Sequence, residues 1–470
     1  MLKSGTFVIL SFSILQTGDL VMSSKGNRTI AIVNGPESYD TLQDSFAEIF
    51  KQINKVIKDG KVQIDKDDTP IEIFLGGDYK FLLMVMGFSG ATSDYACLWC
   101  LVHKLMRRDM SHDLKYFNEE NVRTLQTIRE WCKEKKYSCI QEPLLNIDTD
   151  HIILDELHLM LRISDRLLEN VIKEVMQKDG IEDFDKKRHK DTGLNLKKLI
   201  TVINDIGLTF AIWEKKNADG KGSGTYDWTS LVGSDKKKLL KLLPEKLEQG
   251  DILFQDTKNT VIQLWKDFDS LYTLINTTSD SNDFHLQVFE KSKAFINLFI
   301  SLGGLRIGYE KKRVTPYMHA LVYHVPIFIK NYKNFKHFTG QGIEKNNDDA
   351  KRIYFQKSNK WDAAKDILLL EHRQIELKHC EREKRKYDKK NTDYWEEGII
   401  EKRKKRSRAS LIEKPNVESP QSQDIDLGTS DHYLKMTLKQ LRQEIKSKNK
   451  AVKGLHKMKR PELIALLKNA

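Results

Sequence analysis

Two spacings of apolar residues divide the chain. In "TFVILSFSIL" (6–15) and "RTIAIVNG" (28–35) apolar residues run close together and are rich in Val, Ile and Phe, which predicts two buried strands. The turn-rich "TGDLVMSSKGN" joins them. Leu42, Phe46, Ile49, Ile53 and Ile57 then recur at three- or four-residue spacing up to Gly60, which predicts an amphipathic helix over 39–60. "PIEIFLGG" (70–77) predicts a third strand that ends directly before Asp78. The first hundred residues therefore read as mixed α and β.

From about residue 105 to 315 the spacing is helical. "DELHLMLRISDRLLENVIKEVM" (155–176) is apolar on most of its turns and reads as a buried helix. Further helices are expected at 120–136, 235–248, 259–276 and 283–302, with "KNADGKGSGTYD" (216–227) as a flexible loop. A helical stretch continues to about 398, followed by the basic run "KRKKRSR" (402–408) and a polar linker to about 431 that contains Pro415 and Pro420. The last segment predicts two short amphipathic helices around a basic loop. Leu438, Leu441 and Ile445 form one apolar face, and Leu463, Ile464 and Leu467 the other.

The 470 residues are enough for two or three domains. A formal charge of +12, with 39% apolar and 31% charged residues, suits a soluble protein that meets a polyanion, nucleic acid ahead of a membrane surface. The five cysteines are too few and too scattered for a disulfide framework, so a reducing compartment is expected. "MLKSGTFVILSFSIL" has the outline of a signal peptide, but two serines interrupt it and no small-residue cleavage site follows, so a strand fits better. No run of 18 apolar residues occurs.

Two of the five cysteines stand three positions apart in "DYACLWCLVHK" (94–104). C-x2-C holds two thiolates on one tight turn, the usual half of a structural zinc site. A second half is offered by His319 and His324 in "YMHALVYHVPIF", an H-x4-H spacing. On a regular helix two residues five apart diverge by about 140°. Pro326 biases Val325 away from the helical conformation and so allows His324 to turn toward its partner. His103, Cys132 and Cys139 are rival ligands, and buried thiols with helix-end histidines are the plain alternative.

Two carboxylates invite a second metal question. Asp78 follows a strand-like run and precedes a helix-like one, a position that serves for a magnesium ligand and equally for a helix N-cap. Glu344 opens the helix of "FTGQGIEKNNDDAKRIYFQKSNK" (338–360), where the helix dipole favours an acid whatever its function.

In "GGDYKFL", "DYACLWC", "LDELHLMLRISDRLLENVI" and "MHALVYHVPIFIKNYKNFKHFTGQGIEKNNDDAKRIYFQK" the chain resembles the catalytic core shared by the V(D)J recombinase catalytic subunit and the Transib transposases, over about residues 6–375. These are DDE enzymes of RNase H-like fold. The resemblance implies that Asp78 and Glu344 are the second and third catalytic carboxylates, that Cys97, Cys100, His319 and His324 bind structural zinc, and that intact relatives use magnesium or manganese. The family's first Asp lies on the first, central strand. The runs at 6–15 and 28–35 match the second and third strands, neither contains an acid, and Asp19 and Asp40 fall in turns. The first strand and its Asp are therefore expected upstream of Met1, with catalysis impaired and two strands left unpaired.

"MTLKQLRQEIKSKNKAVKGLHKMKRPELIALL" (436–467) resembles the SAP helix, extended loop and helix, and nearly as well the N-terminal fold of the transcription terminator Rho. Lys457, Lys459 and Arg460 precede Pro461 at a helix start, a phosphate cradle. Lys402, Arg403, Lys404, Lys405, Arg406 and Arg408 read as a nuclear localisation signal or phosphate-binding arm.

The expected fold is α+β, mostly α: a partial RNase H-like mixed sheet with a large helical insertion and a small all-α C-terminal module. Its parts are a partial core (1–95), a zinc-associated insertion (96–315), a return to the core (316–398), a basic and polar linker (399–431) and a SAP-like module (432–470). The expected function is a nuclear, transposase-derived DNA-binding protein without membrane or small-molecule partner, dimeric as the resemblance implies. An active recombinase with a mis-assigned start, and a non-enzymatic chromatin or RNA-binding adaptor, are the alternatives.

Overall fold

The computed structural model describes residues 7–180, 193–217, 220 and 222–378, and beyond them Leu441, Glu444, Ile445, Leu463 and Leu467. The chain divides after Glu381 into two compact units. The first is mostly helical with small antiparallel sheets. It opens with β1 (Phe7–Ser13) and β2 (Asn27–Asn34), paired antiparallel from Phe7↔Asn34 to Ser13↔Asn27. Side chains alternate between the two faces of a strand. Val8 and Ala31 accordingly join the core that contains Leu42, Phe46 and Phe50 of α1 (Tyr39–Asp59), while Ile9 and Ile32 pack on Ala350, Ile353 and Ile367. Helix α1 forms where the apolar spacing predicts it. The Ser38 hydroxyl accepts from the Thr41 amide at its start, and Gly60 ends it at φ 65°.

The third strand is not where the apolar run predicts it. A hairpin of β3 (Lys61–Ile64) and β4 (Asp67–Pro70) forms instead, turning through Asp65 and Lys66 at φ 49° and 83°. Two positive φ values in a two-residue loop match the twist of antiparallel strands. Residues 71–77 form no strand; among them Leu75 alone makes a bridge, parallel, to Ile152. The glycine-rich stretch at 216–227, expected as a loop, is mostly a second hairpin, β5 (Ile212–Lys216) with β6 (Gly222–Trp228).

Helices α2 (Tyr79–Val85), α3 (Leu125–Glu134) and α4 (Glu156–Lys178) follow residues 71–77. Helix α3 starts later than expected because Val122 bridges Cys100 and Thr124 supplies the cap. Helix α4 is the spine of the unit, with Leu159, Ile163, Leu167, Val171 and Val175 all buried. Around it lie α5 (Leu194–Asp205), α6 (Gly233–Gln249), α7 (Gln255–Ile275) and α8 (Phe284–Ser301). Two buried acids fasten α4 to its neighbours. Glu174 accepts from the Thr257 hydroxyl at 2.7 Å, and Glu156 from the Thr339 hydroxyl at 2.8 Å and from Tyr272.

The chain returns through α9 (Pro316–Tyr323), α10 (Val325–Tyr332), α11 (Gln341–Gln356) and α12 (Ala363–Lys378). No helix among the described residues is long and apolar enough to cross a membrane. In the second unit Leu441, Ile445, Leu463 and Leu467 are helical and buried. These are four of the six residues expected on the two apolar faces.

Gly342 lies where α11 crosses the chain between β1 and β2; a Cβ there would stand 2.0 Å from the Val21 carbonyl oxygen and 2.4 Å from Asn27 Nδ2. Gly342→Ala is expected to cost about 1–3 kcal/mol through overpacking. A lowered midpoint of thermal unfolding checks this, and an unchanged one contradicts the close approach.

Candidate metal centre and carboxylate cluster

The C-x2-C turn is built against the start of α2. The Tyr79 hydroxyl donates to the Ala96 carbonyl at 2.7 Å, and the Trp99 indole N–H to the Ile152 carbonyl at 2.8 Å. Fully buried Arg123 holds the other side, donating to the carbonyls of Cys100, Tyr95 and Tyr137 at 3.0, 3.1 and 3.0 Å. A turn tied at so many carbonyls presents both sulfurs to one point.

The histidines arrive from the far end of the unit. Helices α9 and α10 meet at His324 (φ −108°, ψ −38°), one residue ahead of the expected break. Pro326 cannot donate to the preceding turn, which favours a break just ahead of it. The break turns both rings to the same point. Cys97 Sγ lies 3.3 Å from His324 Nε2 and Cys100 Sγ 3.2 Å from His319 Nε2, across 227 and 219 residues of sequence. All four ligand atoms lie within 4.8 Å of one another, and all four residues are buried.

This donor set fits a metal such as zinc. Tetrahedral Zn with Zn–S of about 2.3 Å and Zn–N of about 2.0–2.1 Å separates its donors by roughly 3.3–3.8 Å. His324 Nδ1 contacts Asn118 Oδ1 at 3.0 Å, the kind of outer hydrogen bond that fixes a ligating ring. The electrostatics point the same way. Burial opposes ionisation of Cys97, yet hydrogen bonds from Cys100 and the two histidines, with the charge of His324, hold its thiol well below the usual value. Burial and the neighbouring Cys97 push Cys100 well above it. Two adjacent thiolates are stable together only around a cation, and burial keeps His319 neutral, as a ligand must be.

The rival ligands lie elsewhere. Cys139 accepts from Arg123 at 3.4 Å, His103 packs on Tyr95, and neither belongs to the four-residue group, nor does Cys132.

Asp78 and Glu344 line one cavity of about 540 Å³. Asp78 caps α2, its Oδ1 accepting from the Phe81 amide at 2.7 Å, so the capping role and the place at the cavity coexist. Glu344 lies in the first turn of α11 with its side chain 45% exposed. Two further residues, unsignalled as site residues in the sequence, complete this end. Asp155 is the buried N-cap of α4 and spends both oxygens inside the protein. Oδ1 accepts from the amides of Leu157 (3.0 Å) and Gly340 (2.6 Å), and Oδ2 from the amide and ring nitrogen of His158. His158 Nε2 in turn lies 3.7 Å from Glu344 Oε1. The D-x-x-H pattern in "LDELH" announces a capped helix, but nothing local announces a contact 185 residues away.

Glu37, the other acid on the wall, pairs with Lys80. Asp19 and Asp40 do not line the cavity, and β1 and β2 carry no acid. Among the acids that line the cavity, Asp78 caps α2 through Oδ1 and Glu344 pairs with His158 through Oε1, so neither spends both oxygens inside the protein as Asp155 does. Lys402, Arg403, Lys404, Lys405, Arg406, Arg408, Lys457, Lys459 and Arg460, the expected DNA contacts, lie outside the described residues, as does Cys380.

No family model matches the chain, and no curated protein matches it.

Two outcomes are expected. Cys97→Ala should release about one equivalent of tightly bound metal and lower stability by several kcal/mol, since structural zinc supplies on the order of 10 kcal/mol in small zinc domains. Metal analysis beside thermal unfolding checks this, and unchanged metal content refutes the ligand set. For His158, burial lowers the pKa, but the Asp155 hydrogen bond and the charges of Asp155, Asp78 and Glu344 outweigh it, and the net direction is up from 6.5. A raised histidine contributes stability that is complete below its unfolded value and lost as pH rises through its folded value. In the zinc-loaded chain without added Mg²⁺ or Mn²⁺ the imidazole should therefore titrate above 6.5 by NMR, and Asp155→Asn should lower that midpoint.

Proposed function

We propose that the chain is an RNase H-like, transposase- or recombinase-derived DNA-binding protein with a zinc-stapled helical insertion and an incomplete carboxylate site. One observation carries the reading. The two ends of the long helical segment return to each other twice, at the cysteine and histidine cluster and at the Asp78 and Glu344 cavity. The chemistry of each meeting point suits the role that the resemblance gives it.

Asp78 and Glu344 would hold magnesium or manganese, which when bound activates a water or 3′-hydroxyl for in-line attack on a DNA phosphodiester. The remaining residues set the carboxylates in place. Asp78 is fixed by its cap on α2, and Glu344 is fixed by the hold of Asp155 on Gly340 and by His158. Asp78 and Glu344 are two carboxylates where the DDE arrangement uses three, so they would hold the ions less firmly, and this chain would bind DNA but cleave it poorly. In this reading the parallel bridge of Leu75 with Ile152 and the β1–β2 pair belong to one mixed sheet. The basic run at 402–408 and the loop at 457–460 supply phosphate contacts, the former also directing the protein to the nucleus. The protein acts as a homodimer.

Binding of a DNA duplex by the full chain should weaken steeply between 50 and 200 mM salt, as counterion release requires. Nicking in Mn²⁺ should fall at least 100-fold below that of a three-carboxylate relative, and Asp78→Ala should leave DNA affinity unchanged. DNA affinity that ignores salt, or nicking at the relative's rate, contradicts the proposal.

A further inference from the structure

Between His324 and Glu344 the chain makes a basic turn, "IKNYKNFKHF" (329–338), in which aromatic and basic residues alternate. The aromatic residues anchor it. Tyr332 and Phe338 pack on Phe74 with ring centroids 5.0 and 5.1 Å away, the Tyr332 hydroxyl donates to the Asp150 carbonyl at 3.1 Å, and Phe335 is buried. Lys330, Lys333 and Lys336 stand between these anchors at a spacing of three, and all are exposed. Among the described residues no acid pairs with any of them. Asp150 and Glu72, the acids that face Tyr332, are both spent on His151, each at 2.8 Å from one of its ring nitrogens.

The backbone at the middle lysine is strained. Lys333 has φ 57° and ψ −42°, and the Asn334 amide donates to the Tyr332 carbonyl at 2.5 Å. This is a γ-turn of the rare form, which a residue with a side chain adopts at a cost and glycine adopts more readily. A lysine at this position is therefore not explained by the backbone. Strain of this kind is found where a side chain has to be presented.

The turn is joined in sequence to both carboxylates of the cavity. Its anchor Phe74 stands four residues before Asp78, and Lys336 stands four residues before Gly340, which lines the cavity with Glu344. Lysine ammonium groups are compact point charges that suit phosphate oxygens and read no bases. Cations held by the two acids and a row of unpaired lysines share one ligand, a phosphodiester backbone.

We propose that Lys330, Lys333 and Lys336 form a phosphate-binding surface that lays a DNA backbone beside the Asp78 and Glu344 cavity. The inference rests on the DNA-binding reading above, and it adds a contact within the first unit to the basic segments at 402–408 and 457–460.

The probe is a fluorescent DNA duplex bound to the full chain, with affinity read by anisotropy between about 50 and 200 mM salt. Each phosphate contact contributes about 0.9 to the slope of log affinity against log salt. The triple variant K330Q, K333Q and K336Q should therefore lose about 2.7 from that slope with bound zinc and thermal midpoint unchanged. A second triple variant, K197Q, K198Q and K241Q, removes the same charge from exposed positions of α5 and α6 and should leave the slope as it was. Lys333→Gly should take about 0.9 from the slope while raising the thermal midpoint, because glycine relieves the turn. In the unaltered chain, bound DNA should slow acetylation of the three lysines by an amine-reactive reagent about tenfold. An unchanged slope in the first triple variant, an equal loss in the second, or acetylation that DNA does not slow overturns the surface and leaves the DNA-binding reading standing. An unaltered chain that fails to bind the duplex at the lowest salt overturns both.

Discussion

Four side chains, two thiols and two imidazoles, are buried around one point where water does not reach them. Their ionisation cannot be satisfied pairwise, since the thiol that loses its proton pushes the other's pKa up. A cation among them removes the conflict, and it does so by tying residue 97 to residue 324 and residue 100 to residue 319. The loop this closes contains α3 to α8, including the spine helix. Closing a loop of that length costs chain entropy that grows only slowly with length. A bond at its base is an effective way to hold so long a segment.

The cluster is mechanically continuous with the carboxylate cavity. Tyr79 follows Asp78 directly, and its hydroxyl holds the carbonyl just before Cys97 while its amide donates to the hydroxyl of Tyr317, two residues before His319. On the other side Asp155 and Glu156, side by side at the start of α4, grip Gly340 and Thr339 at the start of α11. Asp78 and Glu344 are thus set by two short chains of hydrogen bonds, each beginning in the buried interior. A cavity wall assembled this way depends little on the exposed ends of the side chains that line it.

The residues that announce chemistry by type and spacing were legible. Cys97, Cys100, His319 and His324 carry the spacings of a zinc site, and the structure brings the four together. Helix α1 and the buried spine α4 followed from apolar period alone. What escaped was set by geometry that local sequence does not encode. The β3–β4 turn uses Asp65 and Lys66 at positive φ, where glycine or asparagine would have given the signal. The β5–β6 hairpin is hidden in a glycine-rich stretch that reads as loop. Asp155 and His158 look like an ordinary capped helix start, and only the fold brings Gly340 and Glu344 to them.

The central claim is that a metal bound by two sulfurs and two nitrogens holds the ends of the long helical segment together. X-ray absorption at the zinc edge of the purified full chain tests it most directly. The account predicts two sulfur neighbours at about 2.3 Å and two nitrogen neighbours at about 2.0–2.1 Å. A first shell of oxygens, or four sulfurs, or a folded chain without bound metal, would contradict it.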